Sequence, residues 1–327
     1  MRGFLARRLA HGAVVILIAA SVAFFLVHLA PGDPFSSTLE SAAVSPTAKE
    51  AWRVAYGLDK PLWEQYVRFL GQLARGNLGP SITRAGSAAS VLAEALPNTL
   101  LLMGTALVIS FTAGVALGAW QASRAGTRGD RLVSTTSLIV ASLPEFWVGL
   151  ALISLLAVRL RILPVGGATT LILHDMMSPF GQLVDRARHL VLPALTLALL
   201  GIASIARYQR AALLDVLPRE FIRMARAKGV SDRVVLWRHA LRNALVPTIV
   251  LAGLSLPTLL GGAVFVEGVF SWPGLGTVAA GAFGARDYQV VIGATMLGAI
   301  LVVVGGILTD ALHAAVDPRV RARPESR

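Results

Sequence analysis

Six stretches of this chain run 21 to 26 residues with scarcely a charge, at about 9–29, 99–120, 132–157, 190–213, 244–266 and 290–315. A helix of roughly 20 apolar residues crosses the ~30 Å hydrocarbon core of a bilayer. Only helices and closed barrels can do so with every peptide group bonded. Charged residues make up 15% of the 327, and mean hydropathy is +0.68, where a soluble domain carries about 25% charged residues. The stretches predict an all-α integral membrane protein with six transmembrane helices in one domain over 1–327, without repeats or flexible linkers.

The first span is longer than the apolar region of a secretory leader, and no small-x-small cleavage site follows, so it is expected to be retained. Lysine and arginine set the orientation. With the N-terminus in the cytoplasm, 19 of the 30 basic residues fall in inner segments: Arg2, Arg7 and Arg8; Arg124, Arg128 and Arg131; nine from Arg207 to Arg242; and four in the C-terminal tail. Six of the other 11 lie in one long outer loop, about 31–97, which also holds six acids. Both termini are thus expected inside. Shorter outer loops are expected at 158–189 and 267–288. Within the long loop, "PLWEQYVRFLGQLARGN" reads as a short amphipathic helix with Pro61 in its first turn and Gly71 interrupting it.

The formal net charge of +12 is mostly arginine, with lysine only at 49, 60 and 228. In a chain this apolar the excess suits inner loops and anionic lipid headgroups rather than nucleic acid. There is no cysteine, which excludes disulfides, thiolate metal sites and thiol nucleophiles. The six histidines are scattered without metal-binding spacing, and no G-x-S-x-G elbow or G-x-x-x-x-G-K-[ST] phosphate loop is present. Catalytic, cofactor and metal residues are therefore expected to be absent. Two acids fall inside spans, where they are costly and often functional. Glu145, beside Ser142 and Pro144, is expected either on a translocation path or in a structural pair. Asp310 reads as a helix-end carboxylate meeting an interfacial arginine. Asp33, in "PGDP", reads as a turn residue.

One segment is neither loop-like nor span-like: "RMARAKGVSDRVVLWRHALRNALVP", Arg223 to Pro247, in the inner loop 214–243. It reads as two short amphipathic helices. Pro218 suits a first helical position, Glu220 the first turn and Lys228 the last. Gly229 suits a helix stop, and Ser231 a cap for the second helix, with Asp232 in its first turn. In the first helix Phe221, Ile222, Met224 and Ala225 share a face opposite Arg219, Arg223 and Arg226. In the second, Val234, Trp237 and Leu241 form a stripe opposite Arg238, His239 and Arg242, while Arg233 and Val235 break the pattern. Pattern alone leaves two readings open: a helix pair lying on anionic lipid, or a docking element for another protein with Trp237 as anchor.

The segment "ARAKGVSDRVVLWRHALRNALVP" resembles the cytoplasmic motif of the B-type permeases of dipeptide and oligopeptide ABC importers. Gly229, Ala225 and Leu241 match the wider superfamily motif, whereas Arg223, Met224, His239 and Arg242 depart from it in the manner of the peptide branch. "HLAPGDP" from His28, "YGLDKPLWEQYVRFL" from Tyr56, "SLPEFWVGL" from Ser142, "VFSWPGLG" from Val269 and "DPR" from Asp317 are similar to that branch in the same order. The resemblance implies a type I importer permease in the bacterial cytoplasmic membrane, itself non-catalytic. Its partners would be a second, homologous permease, two ATPase subunits that bind ATP and magnesium, and an external solute-binding protein. Coupling to the ATPase would fall on Arg223, Ala225, Arg226, Lys228, Gly229, Ser231, Asp232, Trp237, Arg238, Leu241 and Arg242. Asp33, Trp272 and Gly274 would lie at an outer gate or receptor contact. Related machinery also carries nickel chelates, glutathione or sugars. A multi-pass membrane enzyme and a gradient-driven carrier are the alternatives from other classes, and neither needs the basic helix pair.

Overall fold

The computed structural model describes residues 2–29, 45–47, 50, 54, 57, 60–84, 86–254 and 256–316. No strand occurs among them. The chain forms two compact units, Met1–Leu100 with Pro273–Val303, and Leu101–Trp272 with Val304–Arg327.

In the first unit, α1 (Arg2–Leu29) lays Ala20, Ala23, Phe24 and Val27 against Phe69 of α2 (Leu62–Ala74) and against Ile292 and Met296 of α13 (Tyr288–Val316). The rings of Phe24 and Phe69 lie 5.2 Å apart, and the Ser21 and Tyr66 hydroxyls share a hydrogen bond of 2.6 Å. Leu17, Ile18, Val22 and Leu26, on the rest of α1, stay exposed, as expected of a helix solvated by lipid. Helix α2 runs unbroken through Gly71, contrary to the expected interruption. A single glycine costs a helix only about 1 kcal/mol, and the buried side of α2 offsets that. A second core joins Ala88, Val91, Leu92 and Ala95 at the start of α3 (Ala88–Ser123) to Leu275, Val278 and Ala282 of α12 (Leu275–Gly284) and to Val290.

In the second unit, α7 (Pro179–Val216), which follows the one-turn α6 (Leu173–Met176), is the axis. It packs against α4 (Arg128–Ala141), α5 (Glu145–Leu152), α10 (Leu241–Leu254) and α11 (Leu256–Val269). It also meets α3, and glycine allows the approach: a Cβ on Gly118 would stand 2.6 Å from the Ala206 carbonyl, and one on Gly114 would stand 2.8 Å from Ile205. The two glycines form a G-x-x-x-G ridge, a usual device for close helix packing in membranes.

Four described helices, α1, α3, α7 and α13, are long and apolar enough to cross a bilayer. At 1.5 Å per residue the 38 residues of α7 extend about 57 Å, so its ends stand well beyond the hydrocarbon. The expected third span, 132–157, is not one rod. It breaks at Ser142–Pro144 into α4 and α5, which meet at 107°. Pro144 has no amide to give the helix and disfavours helical backbone at the residue before it. The pair would make a fifth span if counted as one. The expected fifth stretch, 244–266, falls in α10 and α11, on either side of residue 255, which lies outside the described residues.

Candidate functional site

After α7 ends at Val216, the chain turns through Pro218 into α8 (Glu220–Ala227). Pro218 precedes the helix rather than opening it, and Arg219 is the N-cap. Helix α8 closes in a Schellman motif: the Gly229 amide donates to the Arg226 carbonyl at 2.9 Å and the Val230 amide to the Ala225 carbonyl at 3.2 Å. The motif needs a left-handed residue, and Gly229 supplies it with φ +80°. Nothing lies within 4 Å of where its Cβ would be, so backbone conformation alone selects glycine here.

The second half of the pair departs from expectation. Ser231 holds the N-cap position of α9 (Asp232–Val234), but its side chain makes no capping bond. The chain then winds as a π-helix over Val235–Ala240 before α10 begins. Its i→i+5 spacing stacks Val235 on Ala240 and Leu236 on Leu241, and all four are buried. The inward stripe is therefore Val235, Leu236, Ala240, Leu241 and Ala244, so the expected stripe splits: Leu241 is buried while Val234 and Trp237 stay exposed. Together with Ile222 of α8 it packs onto Val115, Ala119 and Ala122 of α3 and onto Ile205, Leu213 and Val216 of α7. Burying each such aliphatic side chain contributes about 1.5–3 kcal/mol, so the pair is fixed to the ends of two long helices.

That anchoring leaves an outer face. Met224 is 59% exposed and Trp237 46%, with Val234 and Phe221 also open. Around them Arg223, Arg226, Lys228, Arg233, Arg238 and Arg242 are all exposed. A bond of 3.0 Å from Arg226 to Asp232 links the two helices across Gly229. Ala225 is half-buried and Leu241 buried, so these two belong to the chain's own packing.

Next to this pair lies a clamp that the sequence reading missed. Arg210 of α7 donates two bonds, of 2.7 and 2.8 Å, to the two carboxylate oxygens of Asp130 on α4. Asp130 is almost wholly enclosed; it also accepts from the Gly126 amide at 2.9 Å, and its own amide donates to the Thr127 hydroxyl. The Arg210 guanidinium holds its carboxyl down at about 2. Thr127 three residues before Asp130 is a capping-box spacing, the one signal in the sequence that hinted at it.

The other expected residues are spread out. Glu145 is half-buried in the first turn of α5, at the 107° break. The Ser142 hydroxyl donates back to the Leu138 carbonyl at 2.9 Å, within its own helix. Trp272 is fully buried and packs with Val266 and Phe270. Gly274 is the N-cap of α12. Asp33 lies outside the described residues. Two further acids organise loops. Asp287, at the start of α13, accepts four bonds on one oxygen, from Ser81, the Ile82 amide, and the amide and hydroxyl of Thr83. Asp185 on α7 accepts from the Thr170 amide at 2.9 Å and the Thr170 hydroxyl at 2.6 Å, and meets His174 Nδ1 at 2.8 Å. These bonds outweigh its burial and hold its carboxyl at about 2. Among the described residues, no group of three His, Asp or Glu side chains is placed to hold a metal ion.

Residues 114–322 match the family described as binding-protein-dependent transport system inner membrane component, and residues 1–102 match its N-terminal companion. The chain is 39% identical over 321 residues to the oligopeptide transport system permease protein AppB of Bacillus subtilis, covering 98% of this chain and 99% of that one. It is 38% identical to the di/tripeptide transport system permease protein DppB of Pseudomonas aeruginosa and 34% identical to the dipeptide transport system permease protein DppB of Escherichia coli, with the same coverage. Among solved structures it resembles an inward-facing MetNI methionine ABC transporter, with a TM-score of 0.52 and 20% identity over 69% of this chain and 96% of that one. That likeness speaks to fold alone.

Proposed function

The chain belongs to the family of binding-protein-dependent transport system inner membrane components, and from that premise we propose that it is the permease subunit of an ATP-driven importer of peptides. The substrate class follows its relatives, which are named as oligopeptide and dipeptide permeases over almost their whole length. The chain would work beside a second permease, with two separate ATPase subunits on the cytoplasmic side and a solute-binding protein on the other. Those ATPases, not this chain, would hold ATP and magnesium.

The observation that carries the reading is the outer face of the Gly229 helix pair. Its inner side is anchored to α3 and α7 by Ile222, Val235 and Ala240, all fully buried. Its outer side offers apolar residues ringed by arginines, the make-up of a protein-binding patch. A surface of that kind, rigidly joined to two spanning helices, can turn closure of an ATPase dimer into movement of the spans. Shifting a two-state transporter from 1:99 to 99:1 takes about 5.5 kcal/mol of differential binding. ATP and the loaded receptor would supply it from opposite sides of the membrane.

The test is reconstitution of the complex in lipid. Peptide-loaded receptor is expected to raise ATP turnover, and peptide to accumulate only with ATP. Turnover indifferent to the receptor, or uptake without ATP, would overturn the proposal; the second result is that of a gradient-driven carrier.

A further inference from the structure

The segment from 158 to 189, expected outside, contains Arg159, Arg161, Arg186 and Arg188 against only Asp175 and Asp185. Short translocated loops are normally poor in arginine, so this excess calls for a reason. The structure gathers two of the four at a cleft of about 220 Å³ lined by Arg161, Leu163, Pro164, Thr170, Asp185, Arg188 and His189.

The floor of the cleft is already satisfied. Both carboxylate oxygens of Asp185 are engaged by Thr170, and His174 and the His189 ring lie against them. His189 Nδ1 sits 2.9 Å from the Asp185 carbonyl, to which it can only donate, so Nε2 is the ring's remaining polar atom. The rim is not satisfied. Arg188 gives one bond of 3.2 Å to the Ile162 carbonyl. Arg161 makes no hydrogen bond or ion pair among the described residues. Its backbone is held at φ +54° and that of Ile172 at φ +68°, conformations that side-chain-bearing residues rarely adopt. Between these two positions the loop is tied down: the Gly167 amide donates to the Phe270 carbonyl at 2.8 Å, and a Cβ on Gly166 would stand 2.5 Å from the same oxygen. The chain thus fixes a loop that carries an unanswered guanidinium at the mouth of a polar cleft. Two arginines against one committed carboxylate leave that mouth positive.

We propose that this cleft is a carboxylate seat for the solute-delivering protein: Arg161 and Arg188 receive an aspartate or glutamate side chain from that partner's surface. The inference rests on the importer reading and on the orientation it entails. A guanidinium fork matches a carboxylate in two bonds, and a charge at a docking rim speeds and orients encounter.

The test uses the complete complex in lipid with its peptide-loaded receptor, reading ATP turnover against receptor concentration. Arg161→Glu is expected to raise the half-saturating receptor concentration roughly tenfold, with Arg161→Lys between it and wild type. Arg159→Glu, the same reversal outside the cleft, is expected to stay within about twofold. Arg161 has no contact to lose, so the melting temperature of Arg161→Glu should equal that of wild type. Superimposed curves for Arg161→Glu and wild type overturn the inference. So does a shift in the half-saturating peptide concentration with none in that of the receptor, the response of a site that reads the transported solute. A wild-type complex indifferent to receptor overturns the importer reading instead.

Discussion

Arg210 and the arginines from 223 to 242 stand within a few turns of one another in sequence and have opposite fates. Arg210 finds an acid inside its own chain, Asp130, in a two-bond pair on a nearly enclosed carboxylate. Of the arginines on the helix pair, only Arg226 meets an acid among the described residues, Asp232, and both are open to solvent, 50% and 84% exposed. A charge whose partner is built in holds the fold. A charge without such a partner among the described residues, set among exposed Met224, Val234 and Trp237, is where the proposed function has another molecule complete the surface.

The sharpest way to break this contrast is at the clamp. Asp130→Ala strands a guanidinium, and Arg210→Ala strands an enclosed carboxylate. Each is expected to cost about 3 kcal/mol, while the double variant costs less than the two together. Thermal unfolding of the purified protein in detergent measures all three; additive losses would mean that the pair is not a unit. The same pair predicts a pH response. Asp130 titrates near 2 when folded, below its unfolded value of about 3.9. Its contribution is therefore complete above pH ~4 and is lost as pH falls through about 2. Stability across pH 5–8 should owe nothing to its titration.

Next in size is Gly229. A β-branched residue at φ +80° is a strong outlier, and left-handed backbone costs about 1–2 kcal/mol outside glycine. Gly229→Val is expected to undo the α8 stop and redirect the helix pair. The protein would insert and ATP would turn over in the complex, but peptide uptake would fall by tenfold or more. Gly229→Asn, a residue that tolerates this backbone, should retain most uptake. Equal uptake by Gly229→Val and wild type would show that the angle of the pair is irrelevant.

The spans were legible because a bilayer demands apolar length, and length can be counted. What happens within a span was not. Pro144 is plain in the sequence, yet hydropathy carries no direction, so a 107° turn and a straight rod read alike. The π-helical stretch was hidden by the assumption of 3.6 residues per turn. Under that assumption Val235 looked like an outlier and Trp237 shared one stripe with Leu241; at the wider period Val235 and Leu241 are buried and Trp237 faces out. Asp130 and Arg210 are 80 residues apart, and Asp287 meets Ser81 across 206; no periodicity links such pairs. The "GVALG" ridge of α3 was in plain view, but only the close approach of α7 gives Gly114 and Gly118 their meaning.

Neighbouring residues on the pair offer a finer test. Trp237→Ala should leave the melting temperature of the isolated chain almost unchanged, since nearly half of the ring is open. It should weaken binding of the ATPase subunit by about 2 kcal/mol, roughly 30-fold. Val235→Ala, two residues away and fully buried, should do the reverse, costing about 1–2 kcal/mol of stability with little loss of affinity. Pull-down titrations beside unfolding curves separate the two. If Trp237→Ala destabilises and Val235→Ala weakens binding, the face has been assigned the wrong way round.

The smallest expected effect falls on Arg226 and Asp232. Their single bond of 3.0 Å is the only internal ion pair on the helix pair among the described residues, and it invites the idea of a latch across Gly229. Physical scale argues otherwise. An exposed pair of this kind contributes about 0.2–1 kcal/mol, is screened by salt and pays side-chain entropy to form. The Schellman bonds and the buried Ile222 and Val235 hold the angle without it. Asp232→Ala should therefore leave stability within about 0.5 kcal/mol of wild type and, by freeing Arg226, leave ATPase affinity equal or slightly higher at low salt. Arg226→Ala should lower that affinity, and opposite signs from two halves of one ion pair would place the value of Arg226 on the missing partner and not on Asp232.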